Sequence, residues 1–147
     1  MTRHEIITEL EVIIDEAKTA LLTTVDRNGN PHTRWMTPTI LKDRANAIFA
    51  ITSANFEKIA HLKDNSNIEW TFQSKNLETI INIRGRMNVL DNSSIKNEVF
   101  EAIGPKLNAF WKLKADDESS LLVLETVIRE AVFYKPMKAV KKQVAFT

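Results

Sequence analysis

The chain of 147 residues contains no cysteine, only three glycines and no apolar run close to the length of a membrane span. The absence of cysteine excludes disulfides, thiolate metal sites and cysteine nucleophiles. A membrane-spanning helix needs roughly 20 apolar residues in succession, so we expect no membrane segment. The first residues lack the apolar core of a signal peptide. These absences favour a cytoplasmic protein without a membrane partner.

The chain also lacks a strong net charge. It carries 20 Lys and Arg against 19 Asp and Glu, a formal charge of +1 at pH 7. No global field therefore attracts nucleic acid, and any cationic site must be local. The hydrophobic fraction of 44% is that of an ordinary globular protein. We expect one domain over residues 1–147 with a buried core, ending in a basic, solvated tail over 138–147.

Local patterns in the first third predict a helix followed by a meander of strands. Thr2 and Glu5 have the spacing of a capping box, and apolar residues recur at helical spacing to about residue 18. Gly29 follows an asparagine, a pair that favours a hairpin turn. Enrichment in β-branched and aromatic residues marks the strands. The expected strands are 20–25, 33–41 and 47–52.

Two further helices are expected to interrupt the strands. The first is capped by Ser53 or Asn55, runs to about Lys63 and buries Phe56 on its apolar side. The second begins near residues 91–94 and runs to about residue 103, where Gly104 and Pro105 are expected to stop it.

The remaining apolar segments predict more strands. Residues 68–73 and 79–90 are two of them, and Gly85 inside the second predicts a β-bulge. Residues 121–134 suit a helix as well as a strand; their Val, Ile, Phe and Tyr content favours two strands joined near 126–129. The predicted fold class is mainly β, a small antiparallel barrel with an N-terminal helix and two inserted helices. A doubly wound fold is disfavoured because strands do not alternate with helices.

Two stretches, 31–39 and 50–58, carry the residues with the clearest chemistry. Arg34 lies on the strand after the hairpin, and the next strand ends in Thr52 and Ser53 before a helix that carries Lys58. Cationic side chains, hydroxyls and free helix amides form a set of donors suited to phosphate. Arg34 is equally consistent with a solvated residue on an edge strand. The pattern favours a phosphate site without a strict motif.

Other motifs for catalysis are absent. The three histidines, His4, His32 and His61, lie in separate elements without ligand spacing, so we expect isolated side chains and no metal site. There is no nucleophile elbow, Walker loop or dinucleotide glycine fingerprint. No catalytic residue can be named.

At these residues the chain resembles the pyridoxamine 5′-phosphate oxidase-like flavoproteins, and within them the general stress protein 26 group with the FMN-binding split barrel. The resemblance runs from about Ala20 to Leu90 and more weakly to Tyr134. It rests on a Leu-Leu-Thr-Thr-Val strand, an Asp-x-x-Gly-x-Pro-His turn, an Arg-x-Met strand, a strand ending in Thr52 and Ser53, Lys58, and the run Arg84, Gly85, Arg86.

The resemblance implies an FMN at the interface of a homodimer. Arg34, Lys58, Thr52 and Ser53 would hold the phosphate, and the backbone of the strand after Arg34 would line the flavin ring. Trp111 of the partner subunit is the candidate to cover that ring. The implied cofactor-binding residues are Arg34, Trp35, Met36, Thr37, Ile51, Thr52, Ser53, Lys58 and Trp111.

Three departures limit what the resemblance implies. The oxidases proper have Lys where Thr39 stands, Arg where Glu57 stands and Gln near Ile80. We therefore expect an FMN-dependent oxidoreductase with an unknown small-molecule substrate and electron donor, and not a pyridoxamine-phosphate oxidase. A non-enzymatic FMN-binding stress protein is the alternative. A small barrel that binds nucleic acid or a protein partner is disfavoured by the near-zero net charge.

Overall fold

The computed structural model describes residues 1–111 and 121–147, with side chains up to residue 104 and from residue 121. These residues form three α-helices and seven strands. The helices are α1 (Arg3–Ala17), α2 (Glu57–Asp64) and α3 (Ser93–Trp111). The strands are β1 (Ala20–Val25), β2 (Pro31–Met36), β3 (Ala47–Ser53), β4 (Asn67–Gln73), β5 (Ile80–Leu90), β6 (Leu121–Lys135) and β7 (Val140–Ala145). None of the described helices is long and apolar enough to cross a membrane.

All strand pairs are antiparallel, in the order β2-β1-β4-β5-β6-β3, and β7 adds to β6. Beyond the end of β2, Thr39 exchanges two backbone hydrogen bonds of 2.8 Å with Phe49 of β3. This bridge connects the segment after β2 with β3, and so brings together the first and last strands of that order. The prediction of a mainly β antiparallel barrel with an N-terminal helix and two inserted helices is confirmed.

The barrel interior is filled by apolar side chains and covered by α1. Trp70 is fully buried, and its indole N–H donates to the hydroxyl of Thr126 at 2.9 Å, so the largest core side chain has its polar group satisfied. The capping box of α1 is present. Its buried residues are Ile6, Leu10, Ile13 and Ile14.

The predicted bulge in β5 is confirmed. The register against β6 shifts between Arg84 and Gly85. A Cβ at Gly85 would lie 2.3 Å from the carbonyl oxygen of Val127, closer than any real contact. The glycine is therefore required by the close approach of the two backbones.

The boundaries of β2 and α2 differ from expectation. The second strand ends at Met36 because Pro38 has no N–H for a ladder, and only Thr39 beyond it is bridged. Helix α2 begins at Glu57 with Phe56 as its N-cap and no side-chain cap, so neither Ser53 nor Asn55 starts it.

The prediction that Gly104 and Pro105 stop the third helix is wrong, because α3 continues to Trp111. A proline ring ordinarily clashes with the Cβ of the residue before it. Gly104 has no Cβ, which relieves this clash. Before this point, Ile95, Val99 and Ile103 pack with β3 in a second apolar cluster.

Two predictions for the last 27 residues are also wrong. Residues 121–135 form one strand, because β6 is held along its length by β5 on one side and partly by β3 on the other. The segment expected as a solvated tail pairs with β6 as β7. Val144 and Phe146 are 8% and 6% exposed, so the end of the chain belongs to the core.

Candidate functional site

A cavity of about 290 Å³ opens between the end of β2 and the turn that joins β3 to α2. It is lined by Arg34, Trp35, Met36, Thr37, Ile51, Thr52, Ser53, Phe56, Lys58 and Leu121. Eight of the nine candidate residues from the sequence therefore meet in one place. The ninth, Trp111, is the last residue of α3, and its side chain lies outside the described residues.

Lys58 lies in the first turn of α2 and lines the cavity. Its side chain is buried, and its Nζ donates to the Thr52 hydroxyl at 2.7 Å. The ring of Phe56 lies 4.1 Å from the same nitrogen. Lys58 forms no salt bridge with any residue that the structure describes. Burial, and next the charge of Arg34, lower the pKa of Lys58 to about 8.

Arg34 supplies the second cation. Its Nη1 donates to the Thr24 hydroxyl at 2.8 Å and to the Leu22 carbonyl at 3.4 Å, so the guanidinium is held against β1. Burial lowers the pKa of Arg34, and the carboxylate of Glu57 partly opposes that shift. Two cations that repel each other thus face one cavity whose lining includes three hydroxyl residues, Thr37, Thr52 and Ser53. Such a set of donors suits an anion with several oxygens.

The cavity also has apolar walls and an open rim. Met36 and Ile51 are buried in its walls, whereas Trp35 and Phe56 stand at the rim, 49% and 56% exposed. Among the described strands β2 pairs only with β1, so its outer backbone edge faces away from the sheet. A strand edge offers alternating N–H and C=O groups to a flat heterocycle. The arrangement can hold a planar ring with an anionic group.

Two lining residues were missed from the sequence. Leu121 begins β6 and reaches the cavity because β6 pairs with β3, a contact between segments nearly 70 residues apart. Phe56 was expected to be buried on α2 and instead caps its N-terminus at the rim. Its position between Ser53 and Lys58 was the only local signal for a role at the site.

Comparisons with known proteins identify the family and the fold. The family model "Pyridoxamine 5′-phosphate oxidase like" matches residues 5–146. General stress protein 26 from Bacillus anthracis is 18% identical, with a TM-score of 0.69 over 95% of this chain and 98% of that one. A Clostridium acetobutylicum protein related to general stress protein 26 is 17% identical, with a TM-score of 0.74 over 97% and 96%.

A third solved structure is a pyridoxamine 5′-phosphate oxidase-related, FMN binding protein from Nostoc punctiforme. It is 13% identical, with a TM-score of 0.65 over 99% of this chain and 96% of that one. Likeness at these identities shows the fold, an antiparallel split barrel. No curated protein sequence matches this chain. Because the family model spans nearly the whole sequence, the chain belongs to the pyridoxamine 5′-phosphate oxidase-like family.

Proposed function

We propose that this protein binds FMN in the cavity between β2 and α2 and works as an oxidoreductase with a small-molecule substrate. The observation that carries the proposal is the convergence of Lys58, Arg34 and the Thr52 hydroxyl in one cavity that also has apolar walls. FMN has the matching halves, a phosphate dianion and a flat ring system.

The phosphate is assigned to the cationic end. Lys58 has a hydroxyl but no carboxylate as its partner among the described residues, so its charge is available for a ligand. Ser53 directly follows Thr52 in the sequence and is only partly buried, so its hydroxyl is a further donor for the phosphate. Hydrogen bonds to a charged group contribute about 1.5–3 kcal/mol each, so two or three of them account for tight binding of the phosphate.

The flavin ring is assigned to the apolar end. Met36, Ile51 and Leu121 would pack on its faces, and the backbone of residues 35–37 would meet its polar edge. The bound flavin would supply the redox chemistry, and the chain would supply binding, orientation and shielding from water. Arg34 and Lys58 are the ionisable residues among the described residues that line the cavity, so this part of the lining offers no carboxylate or imidazole as acid or base.

We further propose that a second copy of the chain completes the site as a homodimer. Trp35 and Phe56 leave large apolar surface exposed at the rim of the cavity. A partner subunit over this rim would bury both side chains and cover the flavin ring. Sedimentation velocity of the full chain, with and without FMN, tests the point, and a monomer under both conditions contradicts it.

A non-enzymatic FMN-binding protein is the second candidate, favoured by the lack of a carboxylate or imidazole among the cavity-lining residues that the structure describes. Reduction of the bound flavin by NADH or NADPH distinguishes the two functions. Rapid reduction by either nicotinamide supports the oxidoreductase. A flavin that stays oxidised with both supports the alternative.

Purification without added cofactor, followed by titration with FMN, tests binding itself. We expect flavin absorption in the purified protein or saturable quenching of FMN fluorescence on titration. A colourless protein that also fails to bind FMN overturns both candidate functions.

A further inference from the structure

A group of three possible metal ligands lies beside the cavity and takes no part in lining it. The expectation of isolated histidines holds for His4 and is wrong for the other two. The rings of His32 and His61 lie 4.5 Å apart, tilted by 39°. One ligand atom each from His32, Glu57 and His61 lies within 4.8 Å of the other two.

The fold brings these side chains together through two simple periodicities. His32 precedes Arg34 by two residues on β2, so both point to the same face of the strand. Glu57 and His61 are four residues apart on α2 and share one face of that helix. Helix α2 packs against β1, the neighbour of β2, which places its face over His32.

In both His32 and His61, one ring nitrogen makes a hydrogen bond to a neighbouring side chain, and the other makes none to a described residue. His32 Nε2 lies 2.8 Å from the Asp26 carboxylate, and His61 Nδ1 lies 2.9 Å from the Thr24 hydroxyl. His32 Nδ1 and His61 Nε2 make no hydrogen bond to any residue that the structure describes. A carboxylate or hydroxyl that accepts from one nitrogen of an imidazole fixes the other as a lone pair, which is the usual outer shell of a metal-binding histidine.

We propose that His32 Nδ1, His61 Nε2 and the Glu57 carboxylate bind a divalent transition metal ion of the Zn²⁺ class. Two imidazoles and one carboxylate are a preferred set for such ions and leave a coordination position for water. Zinc–nitrogen bonds of about 2.0–2.1 Å in a tetrahedron place ligand atoms roughly 3.3 Å apart. Glu57 is exposed, and its side chain can make the required movement by changing rotamer.

The charges around the group are consistent with a cation. Asp26 and Glu57 contribute two carboxylates. The neighbouring cation Arg34 donates to Thr24, and Thr24 can accept from both Arg34 Nη1 and a protonated His61 Nδ1 through its two lone pairs. Metal binding therefore selects one tautomer of His61 without breaking the Arg34 contact.

Substitution of Asp26 tests the proposed metal site, because the two carboxylate oxygens of Asp26 accept hydrogen bonds from different partners. Oδ1 accepts from the backbone N–H groups of Asn28 and Asn30 and holds the hairpin turn, whereas Oδ2 faces His32. In Asp26→Asn the amide oxygen can keep the turn, but the amide nitrogen can only donate to His32 Nε2. The proton of the neutral imidazole then moves to Nδ1, the nitrogen assigned to the metal.

The experiment uses the full chain without a histidine tag, freed of metal by a chelator, and titrated with Zn²⁺ by calorimetry. We expect one site per chain, strong loss of affinity in His32→Ala, His61→Ala and Glu57→Gln, and a loss of about 10- to 100-fold in Asp26→Asn. His4→Ala is the matched control, since His4 is exposed on α1 and should bind no metal.

Nitrogen NMR of the three imidazoles gives a readout that a structural role would not change. Zn²⁺ should shift His32 Nδ1 and His61 Nε2 and leave His4 unaffected. If a histidine variant fails to fold, Glu57→Gln at its exposed position still decides the question. No Zn²⁺ binding by the wild-type chain, or binding that survives Glu57→Gln and shifts neither nitrogen, overturns the proposal.

Discussion

Replacing Lys58 by methionine should change stability and flavin binding in opposite directions. The substitution keeps a long apolar stem and removes a charge that is buried beside Arg34 without a salt bridge to a described residue. In the chain without flavin that charge is costly. In the complex, by the proposed function, it meets a phosphate.

The magnitude of the stability change follows from the pKa. Burial and Arg34 lower the pKa of Lys58 from 10.5 to about 8, so at neutral pH the folded state carries a cost on the order of 1–3 kcal/mol. Methionine removes this cost and also the hydrogen bond to Thr52, which contributes about 1 kcal/mol. We expect the free energy of unfolding to rise by up to about 2 kcal/mol at neutral pH.

The direction in which the stability difference changes with pH follows from the different pKa values of Lys58 in the folded and unfolded chain. Below pH 8 the lysine is charged in both the folded and the unfolded chain, and the full cost is present. Between pH 8 and 10.5 the folded state has lost its proton and the unfolded state has not, so wild-type stability gains on the variant. The difference between the two proteins should therefore shrink as pH rises through this range.

The loss of flavin affinity follows from the bond removed. A hydrogen bond to a charged group contributes about 1.5–3 kcal/mol, so FMN should bind about 10- to 150-fold more weakly. Urea denaturation and FMN fluorescence titration measure the two effects. Lys63→Met is the matched control, an exposed lysine on the same helix outside the cavity. A Lys58→Met protein that is less stable than wild type and binds FMN as tightly would contradict both the cost assigned to the buried charge and the proposed contact between Lys58 and the phosphate.

Three further predictions test the fold and the site. Gly85→Ala should destabilise the chain by about 1–3 kcal/mol in urea denaturation, because the added Cβ would lie 2.3 Å from a backbone carbonyl oxygen of β6; unchanged stability would contradict the assigned bulge. Thr126→Val should cost about 1–3 kcal/mol by leaving the buried indole N–H of Trp70 without an acceptor, whereas Thr23→Val, at an exposed hydroxyl pair, should cost little. Affinity for FMN in a chelator-containing buffer should weaken as pH rises above about 8, because free Lys58 then loses the proton that the phosphate requires; affinity that stays constant to pH 10 would show that Lys58 does not hold the phosphate.

Most of the cavity could be predicted because its residues come from two neighbouring segments. The hairpin at Gly29 returns the chain as β2, and the next strand ends in Thr52 at the same end of the barrel. Turn chemistry, strand propensity and helix periodicity are all local signals. The resemblance to a known family added the ligand that these residues would hold.

The C-terminal strands could not be predicted from local patterns. β6 lies between β3 and β5 and buries most of both faces, so its sequence lacks the alternation that marks a half-exposed strand. β7 is mostly exposed, with Lys141 and Lys142 on its surface, while Val140 and Val144 within it and Phe146 just after it pack against the core. Pairing with β6 decides the structure of this segment.

The meeting of His32 with His61 was hidden for the same reason. These residues lie 29 positions apart, on a strand and on a helix, and neither stretch contains a metal motif. The spacing of Glu57 and His61 on one helix face was the only local signal. Long-range packing of α2 over the first hairpin creates the group.

The most direct test of the central claim is a comparison of FMN with riboflavin, its counterpart without the phosphate, by equilibrium titration of the wild-type chain and Lys58→Met. We expect the wild type to bind FMN about 10- to 150-fold more tightly than the variant does, while riboflavin, which cannot use the lost charge, binds both about equally. The preference for FMN over riboflavin should shrink accordingly in the variant. Equal affinity of the wild type for the two flavins, or an unchanged preference in Lys58→Met, would contradict a phosphate held by Lys58 in this cavity.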